Sequence, residues 1–175
     1  FVVVYISFMG YAGDRVTAWL HPELDPGDTG YQILQSLYAI GSGGLFGLGY
    51  GKSRQKYLYL PFQYNDYIFA VICEELGLVG AMAIVALFAV TILRGYWIAL
   101  NARDRFSTVL AAGLVTLIAV QTILSLCVVT NLLPSTGIAL PFFSYGGTAL
   151  AVNLGEMGIV LGISRGRNRR KIQEA

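Results

Sequence analysis

Apolar residues in this chain form long runs separated by short polar stretches. Crossing a hydrocarbon core of about 30 Å takes roughly 20 apolar residues in one helix, because every backbone polar group must be satisfied inside the segment. Residues 67–93, 108–133 and 147–163 reach or approach that length. Residues 1–12 are also apolar, but they lack an initiating Met and the basic region of a signal peptide. The pattern predicts an all-α polytopic membrane protein of about four transmembrane helices, the first of them cut short.

The composition agrees with this fold class. Hydrophobic residues make up 55% of the 175 residues and charged residues 13%, as is typical of a chain whose solvent is largely lipid. The net charge of +2 is too small to indicate a nucleic-acid partner, and the basic residues cluster at the ends of the apolar segments. We therefore expect membrane lipids, and no nucleic acid, among the partners.

The basic residues also predict the orientation in the membrane, because short cytoplasmic loops carry an excess of Lys and Arg. Two basic clusters lie in the loop 94–107 and in the tail 164–175. Two spans separate these clusters, so both are predicted to face the cytoplasm. Segments 13–66 and 134–146 are then extracytoplasmic. Any chemistry is expected on the outer face of the membrane.

The outer segment 13–66 contains a predicted helix and a glycine-rich run. Apolar residues recur at helical spacing in residues 30–40, namely Ile33, Leu34, Leu37 and Tyr38. This spacing predicts a short amphipathic or re-entrant helix at the membrane surface. Residues 41–51 follow with six glycines, which permit tight turns and close approach of the backbone to a ligand or another segment.

Asp66 lies where a polar stretch meets the first complete span. A carboxylate in this place is commonly a helix cap, and the residues alone favour that structural role. The functional alternatives are a general base for a hydroxyl nucleophile and a ligand of a divalent cation such as Mg²⁺ or Mn²⁺. Three basic residues just upstream are candidates to neutralise phosphate oxygens, although lipid headgroup contact or solvation is the commoner role beside a span: Lys52, Arg54 and Lys56.

Uncharged polar side chains characterise the loop 134–146. Such a loop either lines a sugar-binding cleft or packs over the helices, and the pattern leaves both open. The candidate sugar contacts are Ser135, Thr136, Ser144 and Tyr145. Acidic residues inside the spans are expected to pair with polar groups of the helix bundle, and these are Glu74, Glu75 and Glu156.

Several sequence blocks occur in a fixed order along nearly the whole chain. They are Gly30-Tyr-Gln-Ile-Leu-Gln-Ser-Leu, Gln55-Lys-Tyr-Leu-Tyr-Leu-Pro61, Asp66-Tyr-Ile-Phe-Ala-Val-Ile-Cys-Glu-Glu-Leu-Gly77, Leu133-Pro-Ser-Thr-Gly-Ile-Ala-Leu-Pro-Phe-Phe-Ser-Tyr-Gly-Gly147 and Met157-Gly-Ile. In this order they resemble the SEDS family (shape, elongation, division and sporulation), to which FtsW, RodA and SpoVE belong.

The resemblance implies a ten-span fold in which this chain supplies the last four helices. It implies polymerisation of lipid II, an undecaprenyl-linked precursor, into peptidoglycan glycan strands at the outer face of the bacterial cytoplasmic membrane. A class B penicillin-binding protein is the implied partner, in division, elongation or sporulation. The implied catalytic aspartate is Asp66. The part of the protein represented here is not expected to be active alone.

Around Asp66 the chain departs from the family pattern, Pro-Glu-(any)-His-Thr-Asp-Phe. The acid is kept, but Phe62, Tyr64 and Asn65 stand at the Glu, His and Thr positions. Two alternatives therefore stay open. One is a flippase for the lipid-linked precursor, with polar groups forming a translocation path. The other is a non-catalytic scaffold for the penicillin-binding protein.

Overall fold

A computed structural model describes residues 13, 15–24, 29–53 and 66–173, without the side chains of 29 and 167–173. Its regular elements are helices, and this part of the chain contains no strand: α1 (Thr29–Ser42), α2 (Ile68–Leu100), α3 (Arg105–Val129) and α4 (Gly147–Gln173), preceded by a helical segment at residues 15–20 and a 3-10 turn at Pro22–Leu24. Among the described residues, three helices are long and apolar enough to cross a membrane: Ile68–Leu100, Arg105–Val129 and Gly147–Gly166. The predicted all-α membrane fold class is confirmed.

Two of these helices extend beyond the predicted spans. Helix α2 continues to Leu100, whereas the predicted span ended at residue 93, and α4 continues to Gln173 rather than residue 163. A helix can continue beyond the membrane because it keeps its own backbone hydrogen bonds. Its length therefore does not show how many of its residues lie in the hydrocarbon core. The membrane boundaries along these helices stay a prediction.

Helix α3 is displaced toward the N-terminus relative to the predicted span 108–133. It begins at Arg105 because Asp104 caps it, with Oδ2 accepting the N–H of Ser107 at 2.9 Å. It ends at Val129 because Asn131 adopts a left-handed φ of 58°. Asparagine tolerates this conformation and commonly ends helices. The helix therefore ends before residue 133, and the membrane boundary at this end stays a prediction.

The chain divides into two compact units. Unit 1 comprises Phe1–Ala81 and Leu124–Ile138, and unit 2 comprises Met82–Ile123 and Ala139–Ala175. Helices α2 and α3 each contribute residues to both units.

In unit 1, α1 buries a face that differs slightly from the predicted one. Ile33, Ser36 and Ala39 are buried, whereas Tyr38, which the apolar pattern included, is 59% exposed. The Ser36 hydroxyl lies 2.8 Å from the carbonyl oxygen of Ile33 and 3.4 Å from that of Val129. The second contact joins α1 to the end of α3.

Unit 1 also contains a break in α2. Gly77 has φ 67° and ψ −170°, so the backbone groups on either side of it lose helical partners. The glycine-rich run replaces those partners through backbone hydrogen bonds: Leu48 N to Glu74 O (2.9 Å), Gly49 N to Glu75 O (3.0 Å), Leu78 N to Gly44 O (2.9 Å) and Val79 N to Leu45 O (3.2 Å). We call residues 43–49 together with 73–79 the glycine clasp.

Glycine is required in the clasp because the two backbones touch. A Cβ on Gly43 would overlap the carbonyl oxygen of Cys73, and a Cβ on Gly47 would overlap that of Glu75. Irregular backbone within a membrane span is tolerated when other parts of the protein satisfy its polar groups. The glycine clasp does this for the broken part of α2.

Unit 2 packs the later part of α2 against α3. The hydroxyls of Tyr96 and Thr116 are 2.8 Å apart. The amide of Gln121 donates to the carbonyl of Ala139 in the outer loop at 3.0 Å.

Candidate functional site

Asp66 lies two residues before the first residue of α2, within unit 1. Its side chain is partly buried, and the neighbouring Tyr67 is 1% exposed. Asp66 Oδ2 faces Gly137 of the outer loop, 3.6 Å from the place where a Cβ on that glycine would be. A partly buried carboxylate therefore lies at the end of a membrane-spanning helix, in contact with the loop that follows α3.

The helical segment 15–20 holds this loop through two side chains. Arg15 Nη1 donates to the carbonyl oxygen of Ser135 at 2.6 Å, and Trp19 Nε1 donates to that of Asn131 at 2.9 Å. Residues four apart in a helix share one face. Arg15 and Trp19 thus bond to the same loop.

Tyr67 adds a third contact with the loop. Its hydroxyl donates to Ser135 Oγ at 3.4 Å, a long hydrogen bond. Residues from three separate parts of the sequence therefore meet, and we call them the Asp66 cluster: Arg15, Asp66, Tyr67, Ser135 and Gly137.

Burial and charge act on the ionisation of this cluster in opposite directions. Burial raises the pKa of Asp66 above its ordinary value, and the positive charge of Arg15 partly opposes that rise. The pKa of Tyr67 is raised as well, first by burial and to a lesser degree by the charge of Asp66, while the Ser135 hydrogen bond and Arg15 lower it. The Asp66 carboxylate is therefore a better proton acceptor than a fully solvated one.

The capping role that the residues alone favoured for Asp66 is not seen. Within the described residues, its carboxylate accepts no hydrogen bond from the first turn of α2, and burial and Arg15 account for its pKa. Asp104 makes the contrast clear, since both of its carboxylate oxygens accept hydrogen bonds from Ser107.

Among the described residues, no set of protein metal ligands surrounds Asp66. In the part of the chain that the structure describes, no group of three or more His, Cys, Asp or Glu side chains is placed to hold a metal ion. A divalent cation at Asp66 would take its other oxygen ligands from a substrate, from water or from residues outside that part.

The other predicted site residues are placed as follows. Lys52 is exposed, and Arg54 and Lys56 lie outside the described residues. Ser135 belongs to the Asp66 cluster, and Thr136 beside it is exposed. In unit 2, the hydroxyl of Ser144 accepts the N–H of Leu140 at 2.8 Å, and Tyr145 is 84% exposed. Their roles in substrate binding stay predictions.

The acidic residues inside the spans are only partly paired. Ser53 Oγ donates to Glu74 Oε2 at 2.5 Å, so Glu74 has the polar partner expected of it. Among the described residues, Glu75 Oε1 and Glu156 Oε2 are buried without a hydrogen-bond partner. For these two oxygens, the expected pairing is not seen.

Sequence reasoning missed Arg15, Tyr67 and Gly137 as neighbours of Asp66. Arg15 and Ser135 are 120 residues apart, and no local spacing relates them. The only available signal was that a charged residue directly follows the first apolar segment, where it would be near the membrane surface.

Comparison with known proteins identifies relatives of this chain. The sequence profile of the FtsW/RodA/SpoVE family, described as cell cycle proteins, matches residues 1–169. Stage V sporulation protein E of Bacillus subtilis is 49% identical over 155 residues, which are 89% of this chain and 42% of that protein. The probable peptidoglycan glycosyltransferase FtsW of Geobacter sulfurreducens is 48% identical over 164 residues, or 93% of this chain and 44% of that protein. The chain thus spans less than half the length of these curated relatives.

Two solved structures share the fold. One, described as a peptidoglycan synthase complex that coordinates polymerization and crosslinking, matches 95% of this chain and 45% of that chain with a TM-score of 0.74 and 28% identity. The other is the crystal structure of an aspartate-to-alanine variant of the rod shape determining protein RodA from Thermus thermophilus. It matches 75% of this chain and 40% of that chain, with a TM-score of 0.58 and 31% identity.

Proposed function

This chain belongs to the FtsW/RodA/SpoVE family, and on that premise we propose that the complete protein is a peptidoglycan glycosyltransferase in which Asp66 is the catalytic carboxylate. The observation that carries this proposal is the partly buried Asp66 carboxylate at the beginning of a membrane-spanning helix, faced by Gly137. A relative that is 48% identical bears the name of this activity. Because the chain spans less than half of that relative, the activity is proposed for the complete protein.

The proposed substrate is lipid II, whose prenyl chain lies in the membrane while its sugars reach the outer aqueous face. Under the positive-inside rule, the basic loop between α2 and α3 and the basic residues from Arg165 onward favour a cytoplasmic location for those ends of the helices. Asp66 is then on the extracytoplasmic side of the cytoplasmic membrane. That position brings a carboxylate to the depth at which a lipid-linked sugar leaves the hydrocarbon core.

In the proposed reaction, Asp66 acts as a general base. An acceptor sugar hydroxyl attacks the anomeric carbon of the donor, its proton passes to the Asp66 carboxylate, and the bond from that carbon to the polyprenyl pyrophosphate breaks. General base catalysis is efficient when the base holds the proton readily, and the raised pKa of Asp66 favours this role. The proton later returns to solvent and restores the carboxylate.

Sugar binding is assigned to the uncharged loop beside Asp66. Ser135 is held by Arg15 and Tyr67, so its position relative to the carboxylate is restricted. Thr136 is exposed next to it. A few fixed polar groups on a largely apolar surface are characteristic of ligand sites.

A class B penicillin-binding protein is the proposed partner. The solved structure that matches 95% of this chain is a peptidoglycan synthase complex, described as coordinating polymerization with crosslinking. A transpeptidase bound beside this protein would crosslink each glycan strand as it forms.

The test is polymerisation of labelled lipid II by the complete protein with its partner in proteoliposomes. Asp66→Asn is expected to lower the rate by about 100-fold or more, because general base catalysis contributes about 10²–10⁴-fold. Asp104→Asn is the matched control, since this exposed carboxylate caps α3 and should leave polymerisation intact.

The outcomes separate the alternatives. Polymer made at the wild-type rate by Asp66→Asn overturns the proposal. A wild type that flips lipid II without forming polymer, together with an Asp66→Asn variant that no longer flips it, indicates a transporter. A wild-type protein that binds its partner but neither polymerises nor flips lipid II indicates a scaffold.

A further inference from the structure

We propose that Arg15 is a positioning residue of the Asp66 site, which holds the outer loop at Ser135 in place and presents its positive charge to Asp66. This inference rests on the proposed function. It assigns a role to a residue that lies far from Asp66 in sequence.

The first step is the hydrogen bond from Arg15 to the loop. Nη1 donates to the carbonyl oxygen of Ser135 at 2.6 Å, and the arginine is partly buried. A bond from a charged donor is shorter and stronger than one between neutral groups. Ser135 is two residues before Gly137, the residue that faces the Asp66 carboxylate. Arg15 therefore restrains the loop close to the carboxylate.

The second step is that the restraint has two points. Trp19 lies one helical turn after Arg15 and donates to the carbonyl of Asn131 in the same loop. Two hydrogen bonds from one helical face oppose rotation of segment 15–20 relative to the loop. The arginine is therefore held in one orientation, and its charge has a defined position.

The third step is electrostatic. The guanidinium of Arg15 lowers the pKa values of both Asp66 and Tyr67 against the effect of burial. Among the described residues, these three are the charged and titratable groups that act on one another in the cluster. Arg15 thus helps to keep Asp66 ionised and able to accept a proton from the acceptor hydroxyl.

Arg15→Gln and Arg15→Lys separate the restraint from the charge. Glutamine keeps a donor for the Ser135 carbonyl but removes the charge, whereas lysine keeps the charge but loses the planar guanidinium. Trp19→Phe removes the hydrogen bond from Trp19 to the loop and leaves every charge in place. These variants are made in the complete protein, and kcat, KM and the pH profile of lipid II polymerisation are measured for each.

Arg15→Gln is expected to lower kcat by about 10-fold to 100-fold, the range that follows from a small misplacement of reacting groups. Its KM should change less. The acid limb of its pH profile should move to higher pH, because a carboxylate without its neighbouring cation is protonated more readily. Arg15→Lys should keep the acid limb in place and retain more of kcat. Trp19→Phe should also keep the limb in place.

A wild-type kcat and pH profile for Arg15→Gln overturns the inference. An acid limb that moves equally in Arg15→Gln and Arg15→Lys overturns it too, since charge would then play no part. If Arg15→Gln does not accumulate in the membrane, Arg15→Lys decides, and a shifted limb in that variant counts against the inference. Failure of the proposed function is distinguishable, because Asp66→Asn would then retain polymerisation or the wild type would have none.

Discussion

Oδ2 of Asp66 lies 3.6 Å from the position that a Cβ on Gly137 would occupy, and Gly137 has a left-handed φ of 66°. The backbone of the outer loop thus approaches the carboxylate at a residue without a side chain. A Cβ at residue 137 would lie in van der Waals contact with the carboxylate. This relationship makes the identity of residue 137 matter for both stability and activity.

Gly137→Ala is expected to lower polymerisation and to destabilise the protein by about 1–2 kcal/mol, the cost of an L-residue in a left-handed conformation. The added methyl group would also contact Asp66. Polymerisation rate and Tm in detergent measure the two effects. Gly146→Ala is the matched control from the same loop, because Gly146 does not have a left-handed φ and its Cβ would meet Ala149 Cβ at an ordinary 3.5 Å. Equal behaviour of the two variants would contradict the prediction.

Asp66→Asn is expected to raise Tm at neutral pH. An acid whose pKa is raised by folding contributes stability below its unfolded pKa, and this contribution is lost as the pH rises through the folded pKa. At neutral pH the ionised Asp66 therefore opposes folding. The gain from the neutral amide should disappear when the pH falls below the ordinary pKa of aspartate.

For Asp104 we expect ionisation to affect stability in the opposite direction. The backbone hydrogen bond from Ser107 is the main cause that lowers the pKa of Asp104, so this carboxylate stabilises the fold when it is ionised. Asp104→Asn should not raise Tm at neutral pH. Thermal unfolding of both variants between pH 3 and 8 tests the pair, and a parallel response would refute the assignment.

The glycine clasp predicts a large structural effect of Gly77→Ala. Its φ of 67° and ψ of −170° lie in a region that is essentially restricted to glycine, at a cost of about 1–3 kcal/mol for another residue. A Cβ would also overlap Gly47, which adds about 1–3 kcal/mol of overpacking. Gly113→Ala is the control, since it has open space within α3. A Tm for Gly77→Ala as high as that of the control would show that the clasp is not formed.

Ser53→Ala tests the buried partner of Glu74. The substitution removes the Ser53 hydroxyl, which donates a hydrogen bond to Glu74 Oε2 at 2.5 Å. Loss of a hydrogen bond to a buried acid should lower the free energy of unfolding by about 1–3 kcal/mol. Ser42→Ala serves as the control, because Ser42 is exposed and bonds only within α1, to Ala39 O. The free energy of unfolding of the two variants should differ by the cost of the Glu74 partner.

Local patterns in the sequence were sufficient for the class of fold. Three apolar runs predicted three spans, and the spacing of Ile33 and its neighbours predicted α1, because a helix in lipid satisfies its own backbone and depends mainly on local composition. Helix ends were less predictable. Asn131 ends α3 through a single left-handed residue, which hydrophobicity does not reveal.

The position of Asp66 before a span was also visible in the sequence, and it identified the candidate acid. The partners of that acid were not visible. Arg15, Tyr67 and Gly137 surround it because segments that are distant in the chain pack together, and such contacts depend on complementary shape and charge across the fold rather than on periodicity. For the glycine clasp, the sequence indicated close approach of the backbone to a ligand or another segment, but only the structure shows that the other segment is the broken part of α2. Side-chain type and local spacing therefore determined the elements and the candidate acid, whereas long-range packing determined which groups act on it.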